Sequence, residues 1–291
     1  MRADIAAPAQ LATLFDLLDL ASPAPQEGDE LPPLAHWLYF QPWGRNSETS
    51  EGGDFLDPAL PPIELPRRLC VESRIDLHRP IRIGERIWRF AHVVDMAERP
   101  GRAGPVVTVL LRHEIADAEG VAITEERRLL YMERAEPLRA REPQAAGGGA
   151  LWTRQFRAGP RALFGYSALT RNMSRVHYDR PFATFIERHP ALVVQSGLVA
   201  AILLDLVREH ASCARLLTCR LTVRRWLYDN GPMRFCARPR RAGAVDLWVE
   251  DVEGRLALDM AATLDREIPA GAAAEPGAPP RINLRRRGAS G

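Results

Sequence analysis

The chain has 291 residues, 46% of them hydrophobic and 26% charged, with a formal net charge of +2. That length holds two ordinary domains with buried cores, and the near-neutral balance gives no global argument for a nucleic-acid or membrane partner. All 39 basic residues are arginine, which excludes Schiff-base chemistry and a lysine general base.

Arg2 and Asp4 open the chain without a signal-peptide apolar segment, so the expected compartment is the cytoplasm. Leu11, Leu14, Phe15 and Leu18 fall at helical spacing and predict a short amphipathic helix over 8–20. A ring cluster follows (Trp37, Tyr39, Phe40), then a loop marked by Gly52-Gly53 and Pro58, Pro61, Pro62 and Pro66. From Leu69 the period changes to two. Val71, Ile75, Ile81 and Ile83, the run 85–96, the alternating 105–115 (PVVTVLLRHEI) and 121–132 predict a β-meander of three or four strands. Residues 136–150 (EPLRAREPQAAGGGA) read as a linker. A second unit repeats the plan in outline: a first strand, a loop, an apolar helix near Val193–Leu206, and strands from Leu216 to Leu264. The helix is apolar nearly all round and is expected to be buried. The run Leu192–Val207 is broken by Gln195, Ser196 and Asp205 and is short for a bilayer span. Residues 269–291 read as a disordered tail of Ala, Gly, Pro and arginine.

The informative stretch is 164–183, FGYSALTRNMSRVHYDRPFA, followed from His189 by HPALVVQSGLVAAILLDLV. Tyr-Ser-Ala-Leu-Thr (166–170), His-Tyr-Asp-Arg (177–180), Leu-Val-Val (192–194), LPPLAHWLYF (31–40) and HRPIRIG (78–84) together resemble the MaoC-like hot-dog family of type 2 hydroxyacyl-thioester dehydratases and mesaconyl-C4-CoA hydratases. The resemblance covers most of residues 30–265. It implies an α+β double hot-dog, two antiparallel sheets each wrapping a central helix. The implied division is a degenerate N-terminal domain at 1–135, the linker at 136–150, a catalytic domain at 151–268 and the tail at 269–291. It implies a hydro-lyase acting on 2-enoyl or 3-hydroxyacyl thioesters of coenzyme A or an acyl carrier protein. No cofactor beyond the carrier is expected. The chain is expected to be a pseudo-dimer in itself, with a homodimer as a further possibility.

Adding water across such a double bond requires a proton taken from water and a proton given to the α-carbon, work that suits imidazole near neutrality. His177 is the expected catalytic base and acid. In R-specific hydratases a carboxylate usually stands five positions before this histidine; this chain has Asn172, as is common in the type 2 branch, and its amide orients water but exchanges no proton. The thioester oxygen gains charge in the reaction, and backbone N–H groups at a helix start can meet it. Ser196 and Gly197 are the expected thioester-binding positions. Where relatives often read Val-His-Gly-Pro, this chain reads Val194-Gln195-Ser196-Gly197. Arg175, Tyr178, Arg180 and Gln195 are candidate substrate or coenzyme A contacts, by charge and proximity.

Rival readings are a non-catalytic thioester-binding or heteromer-partner protein and an acyl-CoA thioesterase. The first is favoured by the altered 194–197 segment. The second wants a carboxylate near the helix start, which Gln195 does not supply. Cys70, Cys213, Cys219 and Cys236 lack C-x2-C spacing, and the histidines lack H-x3-H spacing, so no metal site is expected. No glycine-rich phosphate loop is present.

Overall fold

The computed structural model describes residues 1–20, 24–41, 47, 49–54, 59–101, 104–134 and 146–268. Most of the expected linker (136–145) and the expected tail (269–291) lie outside the described residues.

The N-terminal half contributes β1 (Arg2–Ile5), α1 (Pro8–Leu17), β2 (Arg67–Leu77), β3 (Arg86–Gly101), β4 (Gly104–Asp117) and β5 (Gly120–Met132). The C-terminal half contributes β6 (Trp152–Phe156), α2 (Pro160–Thr170), α3 (Ser196–His210), β7 (Leu216–Val223), β8 (Met233–Pro239), β9 (Ala244–Glu250) and β10 (Leu256–Leu264). All pairings are antiparallel, and the strand order is β1-β3-β4-β5-β2-β7-β10-β9-β8-β6. Read outward from the centre, the two halves have the same topology. They join where β2 pairs with β7, Glu72 opposite Thr222 through Asp76 opposite Thr218, so one ten-stranded sheet runs through both halves.

The strands form where β-branched and alternating residues were expected. Along β4, Val107, Val109, Leu111, His113 and Ile115 turn inward. β1 was not foreseen, because its four residues are too short to show a period.

The helices divide the halves. α3 buries Leu198, Val199, Ile202, Leu203, Leu206 and Val207. It packs on β6, β8 and β9. Its one buried charge, Asp205, is held by Arg154 at 2.8 Å and by Arg208. The helix begins three residues later than expected, because Val193 and Val194 are still extended; Val193 bridges to Tyr228. α2 was expected as loop. Pro160 at its first position presets the helical φ, and Arg171 ends it in the left-handed region at φ 47°. In the N-terminal half, α1 packs against α2, and a short 3₁₀ segment, Ala35–Leu38, follows before β2. Pro32-Pro33 stop a helix from forming ahead of it. Among the described residues no long helix stands between α1 and β2, and residues of β2, β4 and β5 line a cavity.

Candidate active site

One cavity of about 1110 Å³ lies between the halves, lined by both sheets, by the 3₁₀ turn carrying His36 and Trp37, and by the segments around His177 and Ser196. Its C-terminal wall brings together Asn172, His177, Val193, Gln195, Ser196 and Gly197.

His177 ends a 3₁₀ turn, Arg175–His177. The turn is held from several sides. Arg175 N–H donates to Gly52 O at 2.7 Å, Val193 N–H to Val176 O at 3.0 Å, and Asp179 N–H to Arg175 O at 2.8 Å. The imidazole Nδ1 lies 2.8 Å from the Val193 carbonyl oxygen. A carbonyl only accepts, so Nδ1 carries the hydrogen and the neutral ring keeps its Nε2 lone pair. Burial lowers the pKa of His177 below the ordinary imidazole value, opposed by the Val193 hydrogen bond and by Asp54. The ring is thus neutral at neutral pH, able to accept a proton and to return it.

Asn172 follows the end of α2. Its Oδ1 accepts from Ser174 N–H at 3.2 Å, an Asx turn, and its own N–H donates to Ser167 O at 2.9 Å. The turn occupies the oxygen, and the residue lines the cavity.

α3 starts at Ser196 with no side-chain cap; Gln195, in the cap position, is extended. The first-turn N–H groups of a helix have no partner within the helix, and here Ser196 and Gly197 lie at the cavity wall. Gly197 is packed from outside. A Cβ on it would stand 2.4 Å from Tyr166 Oη and 3.5 Å from Trp37 Cε3. The glycine thus lets a tyrosine and a tryptophan close on the helix start.

Gln195 serves the scaffold. It is 3% exposed, and its Nε2 donates to Leu163 O and to Ser167 Oγ, both at 2.9 Å, tying the start of α3 to α2. Both amide hydrogens are spent inside the protein. Gln195 therefore ties α3 to α2, and it also borders the cavity, with its Oε1 without a hydrogen-bond partner.

Arg175, Tyr178 and Arg180 do not line the cavity. Arg175 pairs with Asp179 at 2.8 Å and lies over the Phe182 ring at 4.1 Å. Tyr178 Oη donates to Met173 O at 2.8 Å. Arg180 pairs with Asp229, whose Oδ1 also accepts from Leu192 N–H at 3.0 Å. The carboxylates of Asp179 and Asp229 hold these arginines beside the loop.

Sequence reasoning passed over the polar groups of another part of the wall, where His36, His113, Glu125 and Arg127 meet beside Trp37. They come from three separate elements, so no local spacing announces them. Among the described residues, no group of three or more His, Cys, Asp or Glu side chains is arranged to hold a metal ion. No helix there is long and apolar enough to cross a membrane.

Two like-wired half-sheets with a buried helix beside a histidine-bearing loop define a double hot-dog. Solved structures agree on that fold. A MaoC-like dehydratase from Phytophthora capsici superposes with a TM-score of 0.62 at 14% identity, covering 91% of this chain and 94% of that one. A conserved hypothetical protein from Mycobacterium tuberculosis, described as having a double hotdog fold, superposes at 0.52 with 14% identity, covering 90% and 94%. Residues 34–226 match the family hydroxyacyl-thioester dehydratase type 2. A mesaconyl-C(4)-CoA hydratase from Chloroflexus aurantiacus is 36% identical over 252 residues, 86% of this chain and 89% of that protein. The chain belongs to the hydroxyacyl-thioester dehydratase type 2 family.

Proposed function

We propose that this chain is a hydro-lyase that reversibly adds water to 2-enoyl thioesters, with His177 as the group that moves the proton. One observation carries the reading: His177 spends Nδ1–H on the Val193 carbonyl and keeps a basic Nε2, on a cavity that also receives the uncapped start of α3.

The steps follow from these groups. The thioester carbonyl lies against the N–H groups of Ser196 and Gly197. Asn172 Nδ2 orients a water toward the β-carbon. Nε2 of His177 takes a proton from that water as its oxygen bonds to the β-carbon. The π electrons move through the α-carbon onto the thioester oxygen, where the helix N–H groups meet the new charge. The imidazolium then gives its proton to the α-carbon, restoring the carbonyl. Dehydration is the same path reversed. The reading needs no cofactor beyond the carrier of the acyl group. The carrier is taken to be coenzyme A, by analogy with the Chloroflexus relative, whose name also specifies an unsaturated dicarboxylic acyl group. A second copy of the chain is the remaining partner expectation, read by sedimentation.

The test is direct. Purified protein is mixed with crotonyl-CoA and mesaconyl-CoA, and conjugated-thioester absorbance is followed alongside free thiol. Hydration bleaches the absorbance and releases no thiol. Thiol release would make the protein a thioesterase, and silence across a panel of enoyl thioesters would make it a binder.

A further inference from the structure

Residues 50–54 of the N-terminal half form a tight turn that sits on the loop carrying His177. Gly53 N–H donates to Ser50 O at 2.9 Å, Ser50 N–H to Asp54 O at 3.0 Å, and Asp54 N–H to Ser50 Oγ at 3.1 Å. Arg175 fastens the turn to the loop twice, through its N–H to Gly52 O at 2.7 Å and its Nη1 to Glu51 O at 3.2 Å. Gly53 makes the approach possible. Its φ is +87°, and a Cβ there would stand 2.1 Å from the Met173 carbonyl oxygen. The turn therefore docks on 173–175, the stretch between Asn172 and His177, and Asp54 lines the same cavity as both. Its carboxylate is held by Arg68 on β2, 2.9 Å from Oδ1.

The hydration steps need a negative charge in this place. When His177 takes a proton from water, a buried ring becomes an imidazolium, and burial opposes that form. The start of α3, whose N–H groups carry partial positive charge, lines the same cavity and opposes it too. Asn172 carries no charge to offset either. The other ionisable groups around the ring are committed elsewhere. Arg175 and Asp179 pair with each other, and Tyr178 Oη is spent on Met173 O. Glu51 pairs with Arg134 at 2.7 Å, and Glu187 with Arg67 and Arg134. Asp229, from the segment after β7, pairs with Arg180. Burial pushes Tyr228 up to about 12, and burial followed by Arg67 pushes His189 down to about 4, so both are neutral at neutral pH. Among the described residues, the charge that favours the protonated ring of His177 is that of Asp54.

We propose that Asp54 is a positioning residue for the hydration reaction: from the N-terminal half, its carboxylate stabilises the imidazolium that His177 becomes on taking the proton from water. The proposal rests on the hydration reading for that step. Asp54 exchanges no proton itself and acts through the charge of the ring. It makes Nε2 a stronger base in the first step, and it stabilises the imidazolium until the proton passes to the α-carbon. The active site is then completed by both halves of the chain. The attachment of the turn to Arg175, two residues before His177, keeps the carboxylate in a fixed place relative to the ring.

The test reads the ring directly. The full chain is prepared with isotope-labelled histidine, and the His177 signal, assigned by its loss in His177→Gln, is titrated by NMR. Asp54→Asn keeps the shape of the side chain and removes its charge, so the titration should move to lower pH. Arg68→Gln breaks the ion pair but keeps the carboxylate, so the titration should not fall. With crotonyl-CoA, the acid limb of kcat/KM in Asp54→Asn should move to lower pH with the ring. Its level at neutral pH should drop about three- to thirty-fold, short of the ~100-fold or more lost with the imidazole itself, and KM should change little. An unmoved or raised titration in folded Asp54→Asn would overturn the proposal. So would an equal fall in Arg68→Gln, because the ion pair would then be a strut for the turn. The two readings fail separately. Hydration of crotonyl-CoA with an unmoved titration removes the role of Asp54 and keeps the reaction. A moved titration with no hydration of any enoyl thioester removes the reaction and keeps the coupling of carboxylate to ring.

Discussion

His177 is the residue whose loss should be most informative. Its Nδ1 is fixed by the Val193 carbonyl, so the ring orientation does not depend on substrate. His177→Ala should lower kcat/KM for enoyl-CoA hydration by about two to four powers of ten, the usual worth of a positioned acid or base, with little change in thermal stability. Wild-type rates in that variant would remove the assigned base. The pH dependence has a definite sign. Burial lowers the pKa of this imidazole, and the working form is the neutral one. Activity should therefore be level near neutrality and fall only as pH drops through a value below 6.5. Activity that instead falls as pH rises through neutrality would mean that the ring works charged. Asn172 separates into two jobs. Its Oδ1 holds the Ser174 N–H, a bond worth about 0.5–1.5 kcal/mol of stability. Asn172→Asp keeps that acceptor and should melt like wild type, whereas Asn172→Ala should lose both stability and kcat. Equal melting of the two variants would take the turn out of the account.

At the scale of elements, the start of α3 is built by its neighbours. Gln195 joins it to α2 through two hydrogen bonds, and Tyr166 and Trp37 close on Gly197. Gly197→Ala would place a methyl 2.4 Å from Tyr166 Oη, on a ring that is itself buried. Overpacking of this kind typically costs about 1–3 kcal/mol, and calorimetric melting should show it together with a raised KM. Unchanged melting and KM would mean that the tyrosine moves aside freely. Much of this level was legible beforehand. The period-two runs gave β2–β5, the all-round apolar run gave α3, and the family motif led to His177 and Asn172. What was missed had physical reasons. α2 was hidden because Gly165 and Ser167 weaken its helical pattern and tertiary packing decides it. The cluster of His36, His113 and Glu125 was hidden because sheet pairing, not chain proximity, brings those side chains together. The carboxylate partners of the loop arginines were likewise not legible, since nearness to the motif says nothing about which acids pair with them.

The whole molecule depends on two halves holding one cavity between them, and the join is partly electrostatic. Beyond the β2–β7 ladder, Glu187 from the segment after His177 receives Arg67 Nε at 2.5 Å and Arg134 Nε at 2.8 Å, both from the N-terminal half. Glu187 and Arg67 are almost fully buried. Removing one partner of a buried pair strands a charge away from water, and the cost is typically about 3–5 kcal/mol. Glu187→Ala should therefore lower the unfolding free energy by that amount in a denaturant titration. It should also depress hydration, because the loop that carries His177 loses its anchor on the other half. The contrast is the exposed Arg240–Asp246 pair at 2.8 Å. There, solvent screens the attraction, and Arg240→Ala should cost less than about 1 kcal/mol. If the two variants prove equally stable, the ladder and the apolar core hold the halves without help, and the cavity walls keep their spacing by packing alone.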